Sequence, residues 1–241
     1  MPLGSPVPGS LSDPRQRHAL LLRAFYLPLA ILVTFALVAQ LFVTISRHDL
    51  TTSTRIIRML SFFTIQSNAL VCATSWGLVL RPQRAGMLWR VLRIDAIAGI
   101  AVTGLVYSIA LSGLQVLHGW AQLCDNIFHY IVPILTVLGW LVLGPRGRVD
   151  RPAVLAGLIW PVLWFGYTLV HGAISGWYPY HFIDVGQHGY PRALLNAVIV
   201  TILLGLVLGL IWLVDQRANS LTGRGVRQRV RRPASRRRVS D

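Results

Sequence analysis

The chain has 241 residues, of which 54% are hydrophobic and 13% charged, and its mean hydropathy is +0.58. A water-soluble domain carries about 45–50% apolar and about 25% charged residues, so a soluble enzyme or binding module is excluded and a chain embedded in a bilayer is implied. The formal charge of +15 comes from 23 Arg against 8 Asp, with no Lys and no Glu; these arginines fall in connectors and tails, which suits anionic lipid headgroups and argues against nucleic acid as a partner.

Residues 1–19, rich in Pro, Gly and Ser, predict a disordered cytoplasmic arm. The apolar run 20–46 exceeds the roughly 7–15 residues of a signal-peptide core and lacks a small-x-small exit, so it reads as an uncleaved first span, kinked at Pro28 where the carbonyl of Ala24 loses its donor. Further runs at 57–80, 94–114, 123–143, 153–175 and 193–214 each approach the ~20 residues that cross a ~30 Å hydrocarbon layer. The predicted fold is all-α: a polytopic bundle of six transmembrane helices over 20–215, followed by an Arg-rich cytoplasmic tail, 216–241. Connectors this short leave no room for an extramembrane domain.

Nineteen arginines lie on one side of the predicted spans, and only Arg47, Arg55, Arg58 and Arg192 on the other. The positive-inside bias then places both termini in the cytoplasm and the chain, multi-pass, in the cell (plasma) membrane. Small residues at Gly205 and Gly209, and at Gly104, Ser108 and Ser112, predict close helix packing inside the bundle. No repeat marks an inverted-repeat transporter. Cys72 and Cys124 form no ligand spacing, and the topology sets them at different depths, too far apart to bridge. Asp95, beside Arg90 and Arg93, predicts a local ion pair.

Two stretches put polar groups where water is scarce. In Phe62-Phe63-Thr64-Ile65-Gln66-Ser67-Asn68, a rotation of 100° per residue sets Thr64 and Asn68 on one face with Ser61, Ser67 and Ser75, while Gln66 points nearly opposite. In Asp125-Asn126-Ile127-Phe128-His129-Tyr130, a carboxylate and an imidazole stand one turn apart, ahead of Pro133. Counted from the outer ends of their runs, Thr64 and His129 both lie about 9 Å deep at 1.5 Å per residue. Tyr107 on the third helix reaches a similar level, and Trp160, Trp164, Tyr167 and His171 share one face of the fifth.

The expectation is an outward-opening polar pocket built on Thr64, Asn68, Asp125 and His129 and lined by Tyr107, Trp164, Tyr167 and His171. Ionisable residues inside a membrane are functional candidates by default, although Ser and Thr are also routine interhelical glue and the freed His129 carbonyl needs a partner of its own. His181, Asp184 and His188 match no zinc spacing, so the 176–192 connector reads as an interfacial belt and pocket lid. Neither a metal nor a cofactor is expected.

The combination of the stretches 62–68 and 125–133 with Gly-Pro-Arg-Gly-Arg (144–148) and Gly-Trp-Tyr-Pro-Tyr-x-Phe-x-Asp-Val (176–185) resembles a bacterial family of predicted six-helix integral membrane proteins. That family is distantly similar to the animal androgen-induced-gene proteins, six-helix hydrolases of fatty acid esters of hydroxy fatty acids that use a Thr and a His within the membrane. The resemblance implies Thr64 as nucleophile, His129 as its base, and membrane lipids including a fatty ester as partners. Beyond the resemblance, Asp125 is suited to orienting the imidazole, and Asn68 to offering an amide donor to an oxyanion, an interaction worth roughly 3 kcal/mol. The residues alone leave three readings open: a threonine-nucleophile hydrolase of lipid-like esters, a small-solute or proton-linked transporter or binding protein using the same pocket, and a noncatalytic membrane protein.

Overall fold

The computed structural model describes residues 13–144 and 149–230, with backbone alone over 218–230. Helix α1 (Pro14–Ile45) starts six residues earlier than the hydropathy run, because Asp13 accepts the Arg15 N–H at 2.9 Å and Pro14, at the first helical position, has no N–H to satisfy. Of the arm expected over 1–19, only 1–12 fall outside the described residues. The helix passes Pro28 without ending.

The run expected as one helix over 57–80 is two: α2 (Thr52–Ser61) and α3 (Phe63–Leu80), separated by Phe62 in extended conformation (φ −69°, ψ 128°). There follow α4 (Met87–Val106) with a π-helical turn at Tyr107–Leu111, and α5 (Gly119–Asn126), which passes through a second π turn at Ile127–Ile131 into α6 (Val132–Leu143). Helix α7 (Arg151–Ala156), capped by Asp150, leads into α8 (Ile159–Ser175). A 3-10 turn at His181–Ile183 precedes α9 (Val185–Val230), which breaks at Gly189 (φ 71°, ψ 163°), a left-handed φ that suits a residue without Cβ, just before Pro191. The Asp184 carboxylate accepts the N–H groups of Gly186 (2.9 Å) and Gln187 (3.3 Å), so it caps α9. The 145–148 part of the Gly-Pro-Arg-Gly-Arg stretch, the side chains of the Arg-rich tail beyond Arg217 and all of 231–241 lie outside the described residues.

Six helical segments are long and apolar enough to cross a membrane: Pro14–Ile45, Phe63–Leu80, Met87–Leu111, Gly119–Leu143, Arg151–Ser175 and Val185–Arg217. No strand occurs among the described residues. The chain is an all-helical, multi-pass integral membrane protein. Its outer surface agrees: Val142, Leu163, Ile174 and Leu206 stand well exposed, as acyl chains tolerate and water does not.

Helix α4 sits between two apolar clusters, one joining α1, α3 and the 119–143 span through Leu29, Val33, Val71, Ile100 and Val132, the other joining α6 and α9 through Ile97, Val102, Trp140, Leu204 and Leu208. Small residues serve this packing only in part. A Cβ on Gly104 would lie 3.0 Å from Pro133 Cβ and 3.2 Å from the His129 carbonyl oxygen, so glycine lets α4 close on the group that Pro133 leaves without a donor. Gly205 and Gly209, by contrast, meet nothing within 4 Å, which corrects their expected role inside the bundle. Arg90 pairs with Asp150 at 3.0 Å rather than with Asp95. Cys72 and Cys124 are both free; Cys72 contacts the Thr34 hydroxyl at 3.2 Å, and Cys124 is buried.

Candidate functional site

Hydroxyls on membrane helices usually satisfy themselves on their own backbone. Thr34, Ser61, Ser67, Thr74, Ser108 and Thr201 each donate to the carbonyl four residues back at 2.7–2.8 Å. Thr64 differs because its equivalent acceptor, the Leu60 carbonyl, lies across the break and takes the Gln66 Nε2–H at 3.0 Å. The helix break therefore releases one hydroxyl, and it also places that hydroxyl in the first turn of α3.

The break is held open from α8. The freed Ser61 carbonyl accepts Trp164 Nε1–H at 2.9 Å, the Ser61 hydroxyl meets Tyr167 OH at 2.7 Å, and Trp160 Nε1–H donates to Gln66 Oε1 at 3.0 Å while its ring stacks on Phe63. These tips replace backbone partners that an unbroken helix would have supplied, which is what backbone at membrane depth requires. Replacing Gln66 with Leu strips a partner from both Leu60 O and Trp160 Nε1, at about 1–3 kcal/mol. The expected result is a melting temperature lower by several degrees for the detergent-solubilised variant; an unchanged melting temperature would show that Gln66 does not hold the break.

Thr64 Oγ1 lies 3.3 Å from His129 Nε2. The other ring nitrogen, Nδ1, has Asp125 Oδ1 at 2.9 Å and the Asp125 carbonyl oxygen at 3.0 Å. Both are acceptors, so Nδ1 carries the proton and Nε2 turns its lone pair to Thr64. Tyr107 OH donates to the second carboxylate oxygen, and its ring stacks on the imidazole at 3.8 Å between centroids and 11° between planes. The imidazole is thus fixed in plane by Tyr107 and in tautomer by Asp125. Tyr107 and His129 both stand in the two π turns, where an extra residue per turn re-aims side chains, a frequent feature of functional sites.

Beside Thr64 lies a narrow cavity between α3, α4, α8 and α9, walled by Phe63, Val102, Val106, Phe165, Val200 and Leu204 and lined also by Thr64, Trp164 and Tyr180. Trp164 lines it as expected. Tyr107 stands behind His129 instead, Tyr167 secures Ser61, and His171 packs further along against Tyr167 and Trp177, so these three expected lining residues lie outside it. Asn68 is fully buried one turn below Thr64 and gives its Nδ2–H to the Thr64 carbonyl at 2.9 Å; it steadies the turn and lies away from the cavity, which corrects the expected oxyanion role.

The side chain that stands beside Thr64 instead is Tyr180, from the loop read as a lid. Its hydroxyl accepts the Thr64 backbone N–H at 3.2 Å and lies 3.2 Å from Thr64 Oγ1. Burial pushes its phenol above the ordinary tyrosine range, which keeps it protonated and a donor at neutral pH. The resemblance of the 176–185 stretch marked the segment, but no spacing rule ties Tyr180 to Thr64. Among the described residues no three His, Cys, Asp or Glu side chains gather as metal ligands. No protein-family model, curated protein or solved structure matches this chain.

Proposed function

We propose that the chain is a membrane-embedded hydrolase of lipid-like esters, with Thr64 as nucleophile and His129 as its general base. One observation carries the reading: a continuous relay from a hydroxyl released by a helix break, through Nε2 and Nδ1 of one imidazole, to a carboxylate. As Thr64 Oγ1 attacks the ester carbonyl carbon, its proton passes to His129 Nε2; the imidazolium then gives that proton to the departing alcohol oxygen, leaving an acyl-threonine. Water, deprotonated by the same nitrogen, releases the acid and restores Thr64. The Tyr180 hydroxyl faces the oxyanion that forms at each attack, and the apolar cavity of about 70 Å³ suits the acyl carbons next to the ester. The Thr and His are those that the resemblance to the animal hydrolases implies.

An active-site-directed fluorophosphonate applied to membranes tests this without a guess at the substrate. The expected adduct maps to Thr64 by mass and is lost in Thr64→Ala. Protein that takes no label and turns over no ester would end the hydrolase reading. The discontinuity at Phe62 is also the kind of broken helix around which transporters build sites, so solute flux across liposomes that survives Thr64→Ala would favour that class instead.

On this reading the site opens to the outer leaflet of the cell membrane, with both termini cytoplasmic, as arginine placement supports. In a cysteine-free background, single cysteines at Ser53 and Gln187 are expected to react with an impermeant thiol reagent in intact cells, and one at Ser220 to stay unlabelled. Labelling at Ser220 alone would invert the orientation.

A further inference from the structure

We propose that the first turn of α2, together with Arg55, binds a phosphate oxoanion, independently of any chemistry at Thr64. Arg55 is only 7% exposed, yet its Nε and Nη1 atoms have no hydrogen-bond partner. Its Nη2 donates to Thr52 Oγ1 at 2.8 Å, so the guanidinium folds back on to the start of its own helix. Among the described residues no carboxylate pairs with it, and Asp49, a few residues upstream, forms no ion pair. A buried guanidinium without a counter-charge is costly, and an arginine in the first turns of a helix opposes the helix dipole. Both penalties disappear when an anion sits at the helix N-terminus.

The surroundings supply donors for one. Thr51 caps α2, its hydroxyl accepting the Thr54 N–H at 3.3 Å, and its carbonyl takes the Arg55 N–H at 3.1 Å. Helix geometry leaves the Thr52 and Ser53 N–H groups without an intrahelical acceptor. The Thr51 hydroxyl also meets those of Ser53 (3.2 Å) and Thr54 (2.7 Å), so rotatable O–H groups ring the same turn. No acidic residue occupies that turn. Thr51, Thr52 and Ser53 are exposed, so the turn is reached from outside, and the Thr52 hydroxyl joins it to the buried guanidinium. Backbone N–H groups, hydroxyls and an arginine together match the several acceptor oxygens of phosphate. Helix α2 precedes the apolar span that begins at Phe63, and so lies at the level of lipid headgroups.

Full-length protein, delipidated in a neutral detergent, provides the test through its thermal unfolding. Inorganic phosphate, compared with chloride at equal ionic strength, and phosphatidylglycerol in mixed micelles, compared with diacylglycerol, are the probes. A saturable rise in melting temperature is expected for the wild type and for the exposed-arginine control Arg47→Gln. Arg55→Gln is expected to need about tenfold more of the probe, or to lose the response. Stabilisation by phosphatidylglycerol that makes added phosphate ineffective identifies a lipid headgroup; stabilisation by inorganic phosphate alone identifies a free anion. Thr52→Val, which keeps the guanidinium, is expected to weaken the response several-fold and serves if Arg55→Gln does not fold. No stabilisation of the wild type by either probe, or equal loss in the Arg47 and Arg55 variants, overturns the proposal.

Discussion

Thr64→Ala and His129→Ala are each expected to lower turnover of a long-chain ester by roughly ten-thousand-fold or more, with the double variant little worse than either single one. The non-additivity follows from the geometry. A hydroxyl without the imidazole keeps its proton, and an imidazole without the hydroxyl has nothing to activate, so the two act as one unit across their 3.3 Å contact. Purified variants that keep the wild-type melting temperature and lose activity by similar factors would support the relay. Losses that multiply in the double variant would mean that the residues work separately, and the nucleophile would have to be sought elsewhere. Asp125→Asn should cost less than either, because the Asp125 backbone carbonyl, 3.0 Å from Nδ1, still holds the productive tautomer when the carboxylate is gone.

The reach of the sequence can be judged at individual residues. Hydropathy and arginine placement carry the six spans, since bilayer crossing demands long apolar runs whatever the packing. Helical periodicity placed Ser61, Thr64, Ser67, Asn68 and Ser75 on one face, and all five are buried; counting residues from the ends of two helices was enough to bring Thr64 level with His129. The same periodicity assumed an unbroken helix, whereas Ser61 closes α2 and Thr64 lies in the first turn of α3. Phe62 carries no Pro or Gly to announce a break, and the break exists through partners more than ninety residues away, Trp160 and Trp164, whose indole N–H groups take up the polar atoms it exposes. Asn68 stands one turn from Thr64 along the helix, but full burial commits its amide N–H to the Thr64 carbonyl. Tyr180 reaches Thr64 only because the loop after α8 folds back over the break, a tertiary fact with no local pattern.

Tyr180→Phe is therefore the variant that separates the structure's reading of the site from the sequence's. The prediction is a fall in kcat of roughly a hundred- to a thousand-fold with KM little changed, the range seen when a single oxyanion donor is removed. The Tyr180 hydroxyl already accepts the Thr64 N–H, so its own proton is directed towards Thr64 Oγ1, beside which the substrate carbonyl must lie during attack. The ring itself, packed edge-on to Phe62 and Trp164 and stacked on Phe182, stays in place when the hydroxyl is deleted. Burial favours the neutral phenol and raises its pKa, so ionisation of this donor should not limit the wild-type rate until the pH passes the ordinary tyrosine range. A Tyr180→Phe protein with a lowered melting temperature but unaltered kcat would reduce the residue to packing and to satisfying the Thr64 N–H. Lost kcat at unchanged stability would instead give the oxyanion its donor on the 176–184 loop, which lies against the break that frees Thr64.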